Sequence, residues 1–260
     1  MIQIEAIKNY YPAQLRDHAV FVKYILKEYL QLLILDYLST SPYLRKITFI
    51  GGTSIRLIKG IDRFSEDLDF DCKAFSLDEF TDMTNGVLQF LRHNGLNAEV
   101  KDQENPRLKA FRRNIHFPEL LFDMRLTGHR DERFLIKVES QDQLVQYKPE
   151  IVNIKGCGFF FPMVVPSAGV LCAMKVSAML DRQKGRDFYD AMFLLSQTMP
   201  DFNFLAQKIG ISSLESLKDA AEKVIMQVDL KSKMRDFEHL LFHRSNSARI
   251  LQAGEFFRSL

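Results

Sequence analysis

Hydrophobic residues along the chain follow two different spacings, and each spacing predicts a type of secondary structure. Over residues 13–38 apolar side chains recur every three or four positions, which predicts a helix that packs beneath a sheet. Elsewhere, short apolar or alternating runs between turn residues are typical of strands. These runs predict strands at 47–50, 67–75, 97–101, 109–117, 120–127, 134–139, 151–155 and 159–165.

Start and stop signals define the remaining helices. Ser76, with Glu79 three residues later, forms a capping-box pattern, and the helix that it begins is predicted to end near His93. After residues 162–167 only helical patterns follow. They predict helices at 167–182, 187–198, 201–210, 213–228, 232–242 and 245–258.

The order of these elements predicts the fold class and the domains. Strands and helices mix in the first part of the chain, and helices alone fill the last part. We therefore predict an α+β fold, in which residues 1–165 form a mixed sheet of about five or six strands flanked by helices. Residues 166–260 are predicted to form a helical C-terminal domain, and the active site is predicted to lie in the cleft between the two domains.

Residues 49–71 carry the most informative polar side chains, in the run FIGGTSIRLIKGIDRFSEDLDFD. On the predicted strand Asp67 and Asp69 are two positions apart, so their carboxylates share one face while Leu68 and Phe70 share the other. Two carboxylates on one face repel each other and favour a bound cation. Mg²⁺ suits them, because it accepts one or two protein carboxylates and completes its shell with water and substrate phosphate.

A glycine turn precedes this strand. Gly51 and Gly52 allow the backbone to bend and to approach a ligand closely, and a short helix is predicted to begin at Thr53 or Ser54. The free N–H groups at a helix start bind phosphate, and the Ser54 hydroxyl can add a donor. A triphosphate on the turn, next to metals on the carboxylates, is the arrangement used in metal-assisted nucleotidyl transfer.

The glycine turn, twelve intervening residues after Ser54 and then Asp67-Leu-Asp69 resemble the signature of the DNA polymerase β-like nucleotidyltransferase superfamily. The longer run GGTSIRL followed by RFSEDLDF is similar to one branch, the AbiEii/AbiGii toxin family of type IV toxin–antitoxin systems. The resemblance implies a polymerase β-like core and a third carboxylate on a strand beside Asp67-Leu-Asp69. Glu139 fits that position best, and Asp123 is the alternative.

The same resemblance implies a set of ligand-binding residues. Asp67, Asp69 and Glu139 would hold two Mg²⁺ ions, with Mn²⁺ as the alternative metal. Phosphate binding would come from Gly51, Gly52, Thr53 and Ser54.

Residues 171–190 form a second motif. Lys175 on a helix, followed by Arg186-Asp187-Phe-Tyr-Asp190, again resembles the toxin family, in which that Lys and a following Asp are essential. The resemblance implies that Lys175 neutralises charge on the leaving pyrophosphate, that Asp187 is catalytic and that Arg186 helps to bind the nucleotide. The alternative is a structural joint between two helices, in which Asp190 pairs with Arg186 four residues before it.

Several basic residues on the predicted strands are able to line one face and contact an RNA backbone. They are Arg107, Lys109, Arg112, Arg113, Arg125, Arg130, Arg133 and Lys137. A solvated sheet face that carries ordinary charges is the alternative.

Composition narrows the function further. The formal net charge of +2 gives no overall polyanion-binding character. Cys72, Cys157 and Cys172 are odd in number and lack the spacing of metal ligands, which predicts a reducing, cytoplasmic compartment. The first residues lack the pattern of a secretory signal, and charged residues within the apolar stretch 19–38 favour a buried helix over a membrane span, so no membrane association is predicted.

The sequence thus predicts a metal-dependent enzyme that moves a nucleoside monophosphate from a nucleoside triphosphate (NTP) to an acceptor. The resemblance implies that the acceptor is RNA, such as a tRNA 3′ end, and that the protein is a toxin held in check by an antitoxin. One alternative is transfer to a protein hydroxyl or a small molecule. Another is a nucleotide-binding regulator without turnover, against which the intact pair Asp67 and Asp69 argues.

Overall fold

Residues 2–101 and 110–260 are described by the computed structural model of the chain. They form two compact units. The first unit comprises the described parts of Met1–Ile58, Ser65–Gln143 and Ile151–Val165, and the second comprises Lys59–Phe64, Leu144–Glu150 and Pro166–Leu260. The second unit therefore includes two short stretches besides the C-terminal part of the chain, and the domain boundary expected after residue 165 stays a prediction.

The first part of the chain mixes helices and strands, as expected. Its α-helices are α1 (Ile4–Lys8), α2 (Ala13–Arg16), α3 (Ala19–Ser39), α4 (Gly51–Ser54), α5 (Leu77–His93) and α6 (Leu120–Asp123). Its strands are β1 (Ile47–Ile50), β2 (Asp67–Cys72), β3 (Glu99–Val100), β4 (Phe111–His116), β5 (Leu135–Gln141), β6 (Pro149–Gly156) and β7 (Phe159–Pro166). A 3₁₀ turn, Pro42–Arg45, precedes β1, and a π-helical turn, Ile55–Lys59, continues α4.

Five strands form one mixed sheet in the order β1-β2-β5-β4-β3. Strands β2 and β5 are parallel, whereas the pairs β1–β2, β4–β5 and β3–β4 are antiparallel. Strands β6 and β7 form a separate hairpin, whose turn residues Cys157 and Gly158 both have positive φ. Arg107 and Lys109, which the sequence places before β4 among the candidate RNA contacts, lie outside the described residues.

The sheet has one apolar face and one polar face. Leu68 and Phe70 of β2 and Ile136 and Val138 of β5 are buried in one core together with apolar side chains of α3 and α5. Burial of each such side chain contributes roughly 1.5–3 kcal/mol, so the apolar face fixes the strand register against these helices. The alternating residues of β2, β4 and β5 form the polar face.

The helix predicted over 13–38 breaks near its start. Helix α2 ends at Arg16 and α3 begins at Ala19, because the His18 imidazole Nδ1 accepts the backbone N–H of Val20 (3.3 Å) and caps a new helix. The capping box at Ser76 and Glu79 is confirmed at the start of α5, with both of its reciprocal hydrogen bonds present.

The strand predicted over 120–127 is wrong, because these residues form the short helix α6 instead. The backbone turns on both sides of it, at Glu119 (φ +59°) and Arg125 (φ +57°). Leu121 is buried while Phe122 and Asp123 are exposed, so the apolar run does not alternate as a half-buried strand would. The predicted alternation depended on too few residues to separate the two periods.

The C-terminal part of the second unit is helical, as predicted. Its helices are α7 (Ala168–Arg182), α8 (Gly185–Leu195), α9 (Phe202–Ile209), α10 (Leu214–Gln227), α11 (Leu230–Arg235) and α12 (Ala253–Ser259), with 3₁₀ segments at Glu238–Leu240 and Arg244–Gln252. The last two predicted helices are thus each divided into an α and a 3₁₀ part. Within the described ranges, none of the helices combines the length and the apolar character needed to span a membrane.

Candidate active site

Asp67 and Asp69 lie on the polar face of the sheet, as the alternation predicts. Both are partly exposed, whereas Leu68 and Phe70, at the positions that follow them, are buried. The two carboxylates are therefore on one side of β2, and the apolar residues hold that strand in the core.

Glu139 joins these carboxylates through the sheet register. It lies on β5 directly opposite Asp69 of β2, and residues in register have their side chains on the same face. The alternative third carboxylate, Asp123, is exposed in α6 and does not lie on a strand of the sheet. The geometry thus brings Glu139, and not Asp123, next to the acidic pair.

Two basic side chains compensate the carboxylates. Lys137 Nζ donates to Asp67 Oδ2 (3.0 Å) and lies 3.7 Å from Glu139 Oε1. Arg112 of β4 is in register with Glu139, and its Nε lies 2.5 Å from Glu139 Oε1. The sequence marks both bases only as candidate RNA contacts, because their pairing with the acids depends on strand register.

Acceptor capacity nevertheless remains in this group. Although Arg112 is close, no hydrogen bond from the described residues reaches Glu139 Oε1, so the pair is a contact of charges rather than an aligned N–H···O bond. The buried Ser54 Oγ likewise has no hydrogen-bond partner among the described residues. An unsatisfied buried polar atom is costly and is commonly explained by a ligand, an ion or water.

Gly51 brings the backbone against Asp69. Its φ is +81°, and a Cβ at this position would lie 2.1 Å from Asp69 Oδ2. The helix begins at Gly51 rather than at Thr53 or Ser54, because glycine reaches the left-handed conformation that turns the chain out of β1. Any other residue here would displace the Asp69 carboxylate.

The remaining residues of the turn are buried. Thr53 donates its hydroxyl to the backbone carbonyl of Asp67, which ties α4 to β2 and engages the Thr53 side chain. The first N–H groups of a helix have no acceptor within it, and Ser54 Oγ adds an unengaged hydroxyl. Phosphate binding by Gly51, Gly52, Thr53 and Ser54 stays a prediction, and no side chain caps this helix start, which leaves it suited to an anion.

The donor set fits a hard divalent cation. Carboxylate oxygens of Asp67, Asp69 and Glu139 are the ligands that Mg²⁺ prefers, and Glu139 Oε1 is unsatisfied. In the parts of the chain that the structure describes, no three acidic, histidine or cysteine side chains converge as a ready metal cluster. Mg²⁺ needs only one or two protein carboxylates, and at Asp67 it would have to share the carboxylate with Lys137.

The second motif forms a buried charge cluster within the second unit. Asp190 of α8 accepts a bidentate pair of hydrogen bonds from Arg63 (2.7 and 2.6 Å), and Lys175 Nζ of α7 lies 2.8 Å from Asp190 Oδ2. Burial raises the pKa of Asp190, but the charges of Arg63 and Lys175 outweigh it and bring that pKa to about 2. Asp190 is therefore a carboxylate at every physiological pH.

Asp190 does not pair with Arg186, the structural partner that the helical spacing suggested. The carboxylate instead faces Arg63, whose two parallel N–H donors fit it better than a neighbour on the same helix surface. Asp187 is fully buried and accepts from Arg182 (2.6 Å), while its Oδ2 has no hydrogen-bond partner among residues 2–101 and 110–260.

Arg63 is the residue that sequence reasoning missed. It lies in the quoted motif between the glycine turn and Asp67, but no local signal reveals a carboxylate 127 residues later in the chain. Its neighbour Asp62 accepts from Tyr189 Oη (2.7 Å) and Asn246 Nδ2 (2.6 Å). These contacts hold the stretch Lys59–Phe64 in the second unit.

Comparisons with known proteins find one family model and several solved structures that are similar to this chain. A family model described as “Nucleotidyl transferase AbiEii toxin, Type IV TA system” matches residues 33–247. The structure of MenT4, a nucleotidyltransferase toxin from Mycobacterium tuberculosis H37Rv, is 17% identical, with a TM-score of 0.66 over 100% of this chain and 91% of MenT4. JHP933 from Helicobacter pylori is 20% identical, with a TM-score of 0.56 over 91% of this chain and 90% of JHP933. None of the curated proteins matches the chain.

Proposed function

The chain belongs to the AbiEii nucleotidyl transferase toxin family, and from that premise we propose that it moves a nucleoside monophosphate from an NTP to RNA. The family makes the protein a nucleotidyltransferase toxin of a type IV toxin–antitoxin system, with an NTP as substrate and an antitoxin as partner. The proposal also includes an RNA acceptor such as a tRNA 3′ end, the use of Mg²⁺ or Mn²⁺, and action in the cytoplasm. The cysteines are free thiols, which is the form that a reducing compartment maintains.

One observation carries the proposal. Asp69 lies in register with Glu139 and against Gly51, so two carboxylates and the start of α4 meet at one place on the polar face. Carboxylates bind metal and a helix start binds phosphate, and a metal-bound triphosphate needs both.

The residues of this site would divide the work of transfer. Asp67, Asp69 and Glu139 would hold Mg²⁺, which when bound neutralises triphosphate charge and favours ionisation of the attacking hydroxyl. Ser54 Oγ and the backbone N–H groups of α4 would donate to phosphate oxygens and orient the triphosphate. Lys137 would keep the acidic group compensated, since its ammonium already binds Asp67.

Lys175, Arg186 and Asp187 enter the proposal through their motif. We assign charge neutralisation on the leaving pyrophosphate to Lys175, a catalytic role to Asp187 and nucleotide binding to Arg186. In the second unit Lys175 is nine-tenths buried and paired with Asp190, so Lys175 also has a structural role there. Asp187 keeps one carboxylate oxygen without a partner among the described residues, which suits a group that engages a ligand.

Mass spectrometry tests the proposal. The protein is incubated with Mg²⁺, total RNA and each ribonucleoside triphosphate in turn, and we expect the mass of a particular RNA to rise by one or more nucleotides. Asp69→Asn should abolish the change, and Asp78→Asn, which alters an exposed carboxylate of α5, should leave it intact.

Parallel reactions with lysate protein and aminoglycosides identify other acceptors. Label that appears on protein or antibiotic while RNA stays unmodified would overturn the RNA acceptor but leave nucleotidyl transfer in place. No triphosphate-dependent product in any reaction would overturn the proposed chemistry at this site.

A further inference from the structure

A concave site lies on the polar face of the same sheet, away from the acidic group. It is a groove of about 630 Å³ within the first unit, bordered by the ends of β3 and β4 and by the segment before β5. Its polar lining includes Lys101, Asn114, His116, Asp131 and Arg133. The groove has the size of a small-molecule or single-nucleotide site.

His116 is the unusual residue of this groove. It is only 8% exposed, and its Nε2 has no hydrogen-bond partner among the described residues. Burial lowers the pKa of this imidazole, and the neighbouring charges of Arg133 and Lys101 lower it further. A neutral buried imidazole with an unused nitrogen is suited to a hydrogen bond with a ligand in the groove.

Most charges around the groove already have partners. Lys101 pairs with Glu99 (2.7 Å), Arg130 lies 3.7 Å from Glu119, and Glu132 pairs with Lys23. In the described part of the chain, two other lining residues, Arg133 and Asp131, take part in no ion pair.

The exposed Arg133 and the neighbouring Asp131 give the groove one cation and one anion that a ligand can use. One available cation, one available anion and a buried hydrogen-bonding group match a nucleotide, which offers a phosphate together with hydroxyl and amino donors. A plain anion would use only the Arg133 end of such a groove.

The sheet register fixes the distance from the groove to the acids. Asp67 is in register with Lys137, and Lys137 with Asn114, so His116 lies two strands across from Asp67 and two residues further along. Strands are about 4.8 Å apart and rise about 3.3 Å per residue, so the two Cα atoms are roughly 12 Å apart. At about 3.4 Å per stacked nucleotide this spans roughly three nucleotides.

We propose that this groove binds a nucleotide of the acceptor strand a few positions before its reacting 3′ end. Arg133 contacts a phosphate, and His116 Nε2 makes a hydrogen bond with the base edge or the ribose 2′-hydroxyl. The proposal rests on the nucleotidyl transfer proposed above and adds a separate site that selects a polynucleotide as the acceptor.

Binding measurements on the full chain test the groove directly. The affinity for a 5′-fluorescein-labelled single-stranded RNA is measured by anisotropy, and that for a fluorescent NTP is measured separately. Arg133→Ala and His116→Ala should each weaken RNA binding about tenfold, the loss expected for one charge-assisted or buried hydrogen bond, while NTP affinity changes less than about twofold. Arg133→Ala should also reduce the slope of log K against log salt by about one.

Controls separate binding from folding. Arg45→Ala removes another exposed arginine that does not line the groove and should leave RNA binding unchanged. His116→Gln keeps a hydrogen-bonding group and should recover most of the RNA affinity that His116→Ala loses. Because Arg133 is exposed, its variant should melt with the wild type even if the His116 variants are less stable.

Three results would overturn the inference. The first is an RNA affinity that is unchanged in Arg133→Ala. The second is a loss of NTP affinity as large as the loss of RNA affinity, which would assign the groove to the triphosphate. The third is transfer to a protein or a small molecule together with no RNA binding by the wild type. RNA binding and transfer are measured independently, so a failure of the proposed transfer chemistry can be told apart from a failure of the groove. Asp69→Asn should stop transfer without weakening RNA binding in the groove.

Discussion

At the scale of single residues, the candidate site depends on which carboxylate faces which neighbour. Glu139 is adjacent to Asp69 because two strands are paired in one register, whereas Asp123 lies on no strand of the sheet because its segment is helical. Asp67 and Asp69 share a face because side chains alternate along any strand, which is a purely local property. The pairing of Glu139 with Asp69 is therefore visible only in the folded structure, whereas the shared face of Asp67 and Asp69 can be read directly from the sequence.

Substitution of the two candidate third carboxylates should give opposite results. Glu139→Gln removes a charge that faces Asp69 and should lower the transfer rate at least about 100-fold, the loss typical of one preorganised charged group. Asp123→Asn changes an exposed residue of α6 and should leave the rate unchanged. Steady-state rates with labelled NTP decide between them, and full activity of Glu139→Gln would remove Glu139 from the site.

Substitution of two glycines should separate a steric clash from backbone strain. Gly51 and Gly60 both have positive φ, but only at Gly51 would an added Cβ collide with Asp69. Gly51→Ala should therefore abolish transfer and destabilise the protein. Gly60→Ala should cost about 1–2 kcal/mol of unfolding free energy and leave the active site in place. Equal activity of the two variants, measured with their melting temperatures, would contradict the role given to Gly51.

At the scale of elements, the cluster of Arg63, Lys175 and Asp190 joins α7, α8 and the stretch Lys59–Phe64. All three side chains are buried or nearly so, and Asp190 is the counter-ion that both cations share, so removing its carboxylate leaves Arg63 and Lys175 without that compensation. A buried ion pair is strongly destabilising when broken, at about 3–5 kcal/mol, even though the intact pair contributes little net stability.

The pH dependence of stability should report this cluster. The pKa of Asp190 falls from 3.8 to about 2 on folding, so its contribution is complete above about pH 4 and is lost as the pH falls toward 2. Asp190→Asn should be about 3–5 kcal/mol less stable than wild type at pH 7, and the difference should shrink below about pH 4. Urea unfolding across this range checks it, with the exposed Asp219→Asn as control. A difference that stays constant down to pH 2 would contradict the assignment.

Elements were predictable where their signal is local and failed where it is not. The capping box of Ser76 and the apolar strand at Ile47–Ile50 need only neighbouring residues, and both are confirmed. The segment at 120–127 is too short for the spacing of its apolar residues to distinguish a helix from a strand. The pairs Lys137–Asp67 and Arg63–Asp190 join residues 70 and 127 positions apart, so no pattern along the chain reveals them.

At the scale of the whole molecule, family membership predicts an effect on cells. Induced expression in a bacterial host should slow growth, because a nucleotidyltransferase toxin acts on the host's own molecules. Asp69→Asn should restore growth at matched protein level, since the fold is kept and the transfer is lost. Growth curves and immunoblots measure both quantities. Equal growth with the wild type and the variant would count against toxicity, although not against the chemistry.

The separation of Arg63 from Asp190 also has a consequence during translation. The ribosome synthesises the glycine turn and Asp67-Leu-Asp69 well before α8. The stretch Lys59–Phe64, which lies between the glycine turn and Asp67, packs with residues that are synthesised much later. A nascent chain that ends before α8 therefore lacks the Asp190 carboxylate that pairs with Arg63. We expect ribosome-bound chains stalled before residue 190 to lack transfer activity, so that the toxin becomes active only when most of the polypeptide has been synthesised.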